Sequence, residues 1–334
     1  MSLEPTLLSL PEVVKDHLMQ YLNYIDIARL RKTCHVFRQY LTVKKPDANI
    51  PTIEVMQFEE GIELQLKEGF YVCLVKIQYL KVDEGCSIET TFQDSGTRAI
   101  RAYGENYLDV FSQDFSMLLQ HQKSISDEVD FTALETSEGR ADFWNTIRRA
   151  MEDAEATTGK KHLLKKRNCI LHNVMAPDVI NILPYFDPNC LQLINFSGEE
   201  GIVTPLDGIV ALPQWNHLKD VTLYGFQIGI DHQNITHLET FHANVRELTA
   251  EDLLQIKNMM LRSGQLKHCA LVFNANQDES FLQSLGPIFE EMDEGYEKTW
   301  KFDSPIPGKV LEVECFFFKI FFKCFGPRIY FEMK

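Results

Sequence analysis

No Cys-x-x-Cys pair occurs in this chain of 334 residues, although it holds eight cysteines, at 34, 73, 86, 169, 190, 269, 315 and 324. Most lie inside apolar runs, which is the pattern of buried free thiols in a reducing compartment rather than of a disulfide scaffold. Phosphate-cradling loops are missing as well: there is no G-x-G-x-x-G and no G-x-x-x-x-G-K. The G-x-S-x-G turn of serine hydrolases is also absent. A basic excess is lacking. Lys+Arg number 33 against 48 Asp+Glu, a net charge of −15. The first fifty residues hold seven basic and five acidic side chains, so the remainder holds 33 − 7 = 26 against 48 − 5 = 43. A body this acidic speaks against nucleic acid or an anionic membrane as the main partner. The N-terminus, MSLEPTLLSLPEVV, has no basic run and no small-residue cleavage site, so no signal peptide is expected. An intracellular protein, cytoplasmic or nuclear, is therefore expected, and the Asn195-Phe-Ser197 and Asn234-Ile-Thr236 sequons read as chance matches.

What is present is ordinary globular composition, with 45% hydrophobic and 24% charged residues. The length suits roughly two domains. Residues 8–41 carry three apolar-periodic segments. Pro11 suits a first helical turn, and Val14, Leu18 and Leu22 follow at i, i+4, i+8 with Tyr21 beside them. Asp26 suits a cap for a second helix with Ile27, Leu30 and Cys34 on its apolar face; a third helix carries Phe37 and Leu41. This small hairpin has more apolar positions than it can bury, which implies a partner. Each apolar position has two readings, partner contact or internal packing.

The segment 44-KKPDANIP-51 reads as a linker. Beyond it, Ile53–Phe58, Phe70–Val82 and Cys86–Phe92 are strand-like. Helical spacing recurs over Tyr107–Leu119 and again from Phe143 to a stop before Gly159, with 123-KSISDEVD-130 as a polar break between them. In the second half, segments beginning at Leu191, Leu218, Leu238 and Leu266 repeat apolar or small residues at offsets 0, 3 and 5. Their spacings of 27, 20 and 28 suit leucine-rich-like repeats, although Asn274 is the single Asn at the expected place. Helices are expected over 177–185 and over Glu251–Arg262 behind a Thr249 cap. Strands alternating with helices predict an α/β fold with a largely parallel sheet, an irregular leucine-rich-repeat-like region behind a short all-helical N-terminus. The aromatic run VLEVECFFFKIFFKCF at 310–325 is too short to span a bilayer and is interrupted by Lys319 and Lys323. It reads as a buried strand paired with Arg328–Met333, or as a membrane-surface or aggregation-prone segment.

Catalytic constellations find no support. His232, His237 and His242 are spaced by five, which puts them on one face of neither a helix nor a strand, and Cys34–His35 are adjacent. Glu199-Glu200 and Glu290-Glu291 read as solvated pairs. No cofactor, metal or enzymatic activity is expected.

The N-terminal segment resembles the F-box, through Leu8, Leu10-Pro11, the Val14/Leu18/Leu22 ladder, Asp26 before Leu30-Arg31, Cys34 and Phe37-Arg38. The later portion is similar to the FTH domain of the nematode F-box A family, through 177-PDVINILPYFDPNCLQLINF-196 and 214-QWNHLKDVTLYGFQI-228. The resemblance implies an F-box at 6–45, a strand/helix region at 51–130 and an FTH-like domain at 131–334. It also implies a substrate receptor of a Skp1–cullin–F-box ubiquitin ligase, with Leu8, Leu10, Pro11, Val14, Leu18, Leu22, Leu30 and Phe37 contacting a Skp1-related adaptor, and through it a cullin, and the body holding a protein target. Phe37 stands where many F-boxes have Trp, and Glu12 comes one residue early in the family's Leu-Pro-x-Glu. The alternative is a stand-alone scaffold or inhibitor whose hairpin packs on its own body.

Overall fold

The computed structural model describes residues 7–22, 24–69, 72–93, 96–134, 137–203, 206–229, 231–263, 265–273, 279–292 and 297–325. It forms two compact units, Met1–His172 with Asn181–Leu191, and Asn173–Ile180 with Gln192–Lys334. No described helix is long and apolar enough to cross a membrane.

The first unit opens with three short helices, α1 (Glu12–Met19), α2 (Tyr24–Thr33) and α3 (His35–Lys44). Cys34 is not the last apolar residue of the second helix; it is the extended residue from which α3 starts. Asp26 lies in the first turn of α2 rather than at its cap, because the helix already begins at Tyr24. The sheet follows, in strands β1 (Thr52–Phe58), β2 (Gly61–Glu68), β3 (Val72–Val82), β4 (Gly85–Phe92) and β5 (Gly96–Tyr103). After α4 (Tyr107–His121) come β6 (Ser126–Thr132), α5 (Ser137–Thr158) and β7 (Lys166–His172). The strand order is β7-β6-β1-β2-β3-β4-β5, parallel from β7 to β1 and antiparallel beyond.

The polar stretch 123–130 is thus no break. Its second half enters β6, where Val129 and Phe131 point inward and the acidic residues alternate outward. Helix α4 is capped by the Asn106 side chain, which accepts from the Leu108 N–H at 2.8 Å. Helix α5 stops at Gly159, whose positive φ of 66° suits a residue without Cβ. A run of ring contacts then ties helices to sheet: Tyr79–Phe111, Phe111–Phe115, Phe115–Phe131 and Phe131–Trp144, with centroids 5.4 to 6.4 Å apart.

The chain passes between the units three times, after His172, within α6 (Ala176–Ile182) and after Leu191. The second unit contains β8 (Leu193–Val203), α7 (Asp207–Val210), β9 (Asp220–Ile228), β10 (Thr240–Val245), α8 (Ala250–Ser263) and β11 (His268–Val272), then β12 (Glu290–Met292), β13 (Glu297–Asp303), β14 (Val310–Phe316) and β15 (Lys319–Phe325). Its order is β12-β13-β14-β15-β11-β10-β9-β8, with β8 to β11 parallel and the rest antiparallel. Thr249 caps α8 through a reciprocal pair: its Oγ1 accepts from the Asp252 N–H at 3.1 Å, and its own N–H donates to Asp252 at 2.9 Å.

The 0/3/5 offsets become a ladder on β8 to β11. Ile194 lies opposite Val221, Val221 opposite Phe241 and Phe241 opposite Cys269; Phe196, Leu223, Ala243 and Leu271 form the next row. All eight are buried. At Gly225, φ is 75° and a Cβ would meet the Gly198 carbonyl oxygen at 2.3 Å, so the turn of β9 accepts glycine alone. The same offsets recur in the first unit as Ile50/Ile53/Val55, Ser126/Val129/Phe131 and Lys166/Cys169/Leu171, with Ile53 opposite Val129 and Val129 opposite Cys169. The aromatic run at 310–325 is a hairpin of its own: β14 and β15 pair antiparallel around Phe317 and Phe318, and β15 also pairs with β11. Its expected partner Arg328–Met333 lies outside the described residues.

Candidate functional site

Helix α1 is two turns long. The Pro11 carbonyl opens it by accepting from Val14 and Lys15 N–H groups at 3.0 and 3.1 Å, so Pro11 stands at the cap rather than inside the first turn. The helix ends at Met19, and Leu22 falls beyond it. The Val14/Leu18/Leu22 spacing therefore never completes a single helical face. The hairpin core is instead Met19, Ile27 and Leu41, with Leu22, Leu30 and Tyr40 packed against it. Phe37 is buried as well.

The remaining apolar side chains face water. Leu8 is 42% exposed, Val14 41% and Leu18 36%. Val13 at 79% and Tyr21 at 74% join them, although the sequence pattern did not single out Val13. Pro11 is exposed and Leu10 half-buried. The eight expected residues thus divide into two sets. Leu22, Leu30 and Phe37 lie inside the hairpin or against its core; Leu8, Pro11, Val14 and Leu18 lie on the outside, with Leu10 between.

A polar cluster fixes α1 to α3. The Tyr40 hydroxyl donates to Asp16, and Lys44 Nζ reaches Asp16 and Glu12, each at 3.2 Å. The Tyr40 bond is the first cause holding the Asp16 carboxyl below its usual range, with Lys44 adding to it. Burial, then the Asp16 bond, raises the Tyr40 phenol, and Glu12 and Asp16 raise the Lys44 ammonium. The cluster keeps Asp16 and Lys44 ionised and Tyr40 protonated across the neutral range.

The segment read as a linker is irregular in conformation but pinned throughout. Lys45, with a φ of 43°, donates from Nζ to Gln120 at 2.9 Å. The Ala48 N–H donates to the His121 carbonyl at 2.8 Å, and His121 Nδ1–H donates back to the Pro46 carbonyl at 3.2 Å. Asp47 accepts from Lys123 N–H at 2.9 Å, and the Ile50 N–H donates to Gln122 at 3.1 Å. Lys166, fully buried in β7, closes the strap by donating to the Ile50 and Pro51 carbonyls at 3.0 and 3.1 Å. Desolvation lowers its ammonium to about 7, opposed by Asp127 and Glu128.

An F-box family model matches residues 7–47, which covers α1 to α3 and the first residues of the strap, and an FTH family model matches residues 148–288. The chain carries an F-box and an FTH domain. F-box A protein 224 of Caenorhabditis elegans is 22% identical over 187 residues, 55% of this chain and 47% of that protein. The chain therefore spans about half the length of the curated relative it matches. No solved structure matches it. The FTH match opens inside α5, takes in strands β7 to β11, and stops before the β12–β15 meander. The F-box is thus the exposed-faced hairpin just described, and the FTH domain contains the in-register ladder.

The histidines at 232, 237 and 242 serve separate neighbours. His232 Nε2 is 3.3 Å from Asp252, His237 Nε2 is 2.9 Å from the Trp215 carbonyl, and His242 lies on β10, its pKa lowered first by burial.

Proposed function

We propose that this F-box protein is the substrate-recognition subunit of a Skp1–cullin–F-box ubiquitin ligase. A Skp1-related adaptor docks on the outer face of the hairpin, at Leu8, Leu10, Pro11, Val14 and Leu18, with Val13 and Tyr21 alongside. Leu22, Leu30 and Phe37 act from inside, holding that face in shape. A cullin joins through the adaptor, and the rest of the chain presents a protein target. Its parallel strands, with repeated offsets like those of leucine-rich repeats, are the surface proposed to recognise that target.

The carrying observation is the exposure of Val13, Val14 and Leu18 on a helix of eight residues, with Leu8, Pro11 and Tyr21 exposed beside it, in a hairpin whose core is already filled by Met19, Ile27 and Leu41. Exposed apolar side chains gathered in this way mark a docking surface in a water-soluble fold. The chain's part is proximity, not bond chemistry. Holding a target beside a charged conjugating enzyme raises the effective concentration of the acceptor amine.

Co-purification with a Skp1-related adaptor tests the reading. The Leu10→Ala, Pro11→Ala double variant is expected to lose capture while the body keeps its fold by circular dichroism. Equal capture by variant and parent overturns it.

A further inference from the structure

A cavity of about 360 Å³ lies where α2 and α3 meet α4 and the strap, all within the first unit. That is within the range of sites for small organic ligands, about 300–1,000 Å³. Its floor is apolar and closed by Ile27, Leu41, Ala48 and Leu118, all buried.

The polar groups around this floor are mostly donors. Arg31 and Arg38 both line the cavity. Arg31 Nη1 reaches the weak acceptor Met117 Sδ at 3.4 Å, and no carboxylate among the described residues pairs with either guanidinium. Tyr24 lines the same space, and its hydroxyl has no hydrogen-bond partner among the described residues. Its phenol is pushed up to about 12 by burial and then by the charge of Asp114, so it remains a donor at neutral pH. The Asp114 carboxyl is already engaged, accepting from the Tyr79 hydroxyl at 2.9 Å. His121 has spent its Nδ1 proton on the Pro46 carbonyl.

Two forked cations and a phenol above an apolar floor ask for a ligand that is anionic at one end and apolar along its length. Guanidinium pairs with planar carboxylate in two parallel bonds, and the apolar floor offers nothing to a small hydrated anion. We propose that this cavity binds an apolar-bodied carboxylate, its acid group held by Arg31 and Arg38 and its body lying on Ile27, Leu41, Ala48 and Leu118. The bound molecule would bridge the F-box and α4. None of the lining residues belongs to the outer face proposed for the adaptor, so this inference stands or falls independently of that one.

Calorimetric titration of the full chain tests it with three probes: decanoate, decanol and inorganic phosphate. Decanoate is expected to saturate a single site, at least tenfold tighter than decanol, the loss expected when a charge-assisted pair is removed. Phosphate is expected not to compete. In the Arg31→Gln, Arg38→Gln variant, decanoate falls to the decanol level while decanol itself is unchanged; Arg38→Gln alone, at an exposed position, gives an intermediate loss. Absence of saturable decanoate binding overturns the proposal, as does competition by phosphate. Equal affinity of decanoate for the parent chain and the double variant overturns it too.

Discussion

Lys166 and Ile50 are joined across 116 residues of chain: the buried Nζ of one donates to the backbone carbonyl of the other at 3.0 Å. Below its folded value of about 7 this ammonium is protonated in both states, and its desolvation weighs on the fold in full. Between about 7 and the unfolded value near 10.4, the unfolded chain binds a proton that the folded chain does not. Stability must then rise with pH, by up to about 1.4 kcal/mol per unit. The buried thiols of Cys169 and Cys269, raised by burial, act oppositely as pH passes the ordinary thiol range, so the rise is confined to roughly pH 7 to 8.5. Urea unfolding at pH 7, 7.5, 8 and 8.5 should show it, and Lys166→Met should flatten it. A parent chain with level stability across that window would refute this.

The ladder on β8 to β11 predicts opposite outcomes for neighbours. Leu223 is buried in its inner row, while Tyr224 beside it is 48% exposed. Leu223→Ala should cost about 2–5 kcal/mol by cavity formation. Tyr224→Ala should stay within about 0.5 kcal/mol. Denaturant midpoints at constant m-value decide between them.

Within the F-box, outer and inner positions should separate. Val14→Asp with Leu18→Asp is expected to abolish adaptor capture and leave the fold intact. Met19→Asp places a charge in the hairpin core and should melt α1 to α3, seen as rapid proteolysis between residues 8 and 44. If the outer pair also brought on that cleavage, the division into faces would be wrong.

The cluster of Asp16, Tyr40 and Lys44 should control how firmly α1 is held. Tyr40→Phe removes the hydroxyl and keeps the ring. Amide exchange in α1 is expected to quicken, while exchange in the sheet strands stays as it was. Unchanged α1 protection would show that apolar packing alone holds the helix.

The inner ladder could be read from sequence where apolar residues filled every offset, as at Leu218/Val221/Leu223. It is hidden in β6 and β7, because Ser126 and Lys166 occupy the first offset there and satisfy it by burial with hydrogen bonds instead of by hydrophobicity. The outer face of the F-box was half legible. Spacing found Val14 and Leu18, but it could not show that α1 stops after two turns, which hands the core to Met19 and frees Val13. The cavity was not legible at all. Its Arg31, Ala48 and His121 come from separate segments that tertiary packing alone brings together.

The pinned strap from Lys45 to Pro51 has a mechanical meaning. A connector of seven loose residues would let the hairpin wander at little entropic cost. This one is clamped by α4 and by Lys166, so the hairpin and the first sheet turn as one lever. Whatever grips the hairpin therefore holds the first sheet in one attitude. That attitude is set by the angle built into a few hydrogen bonds, not by diffusion at the end of a tether.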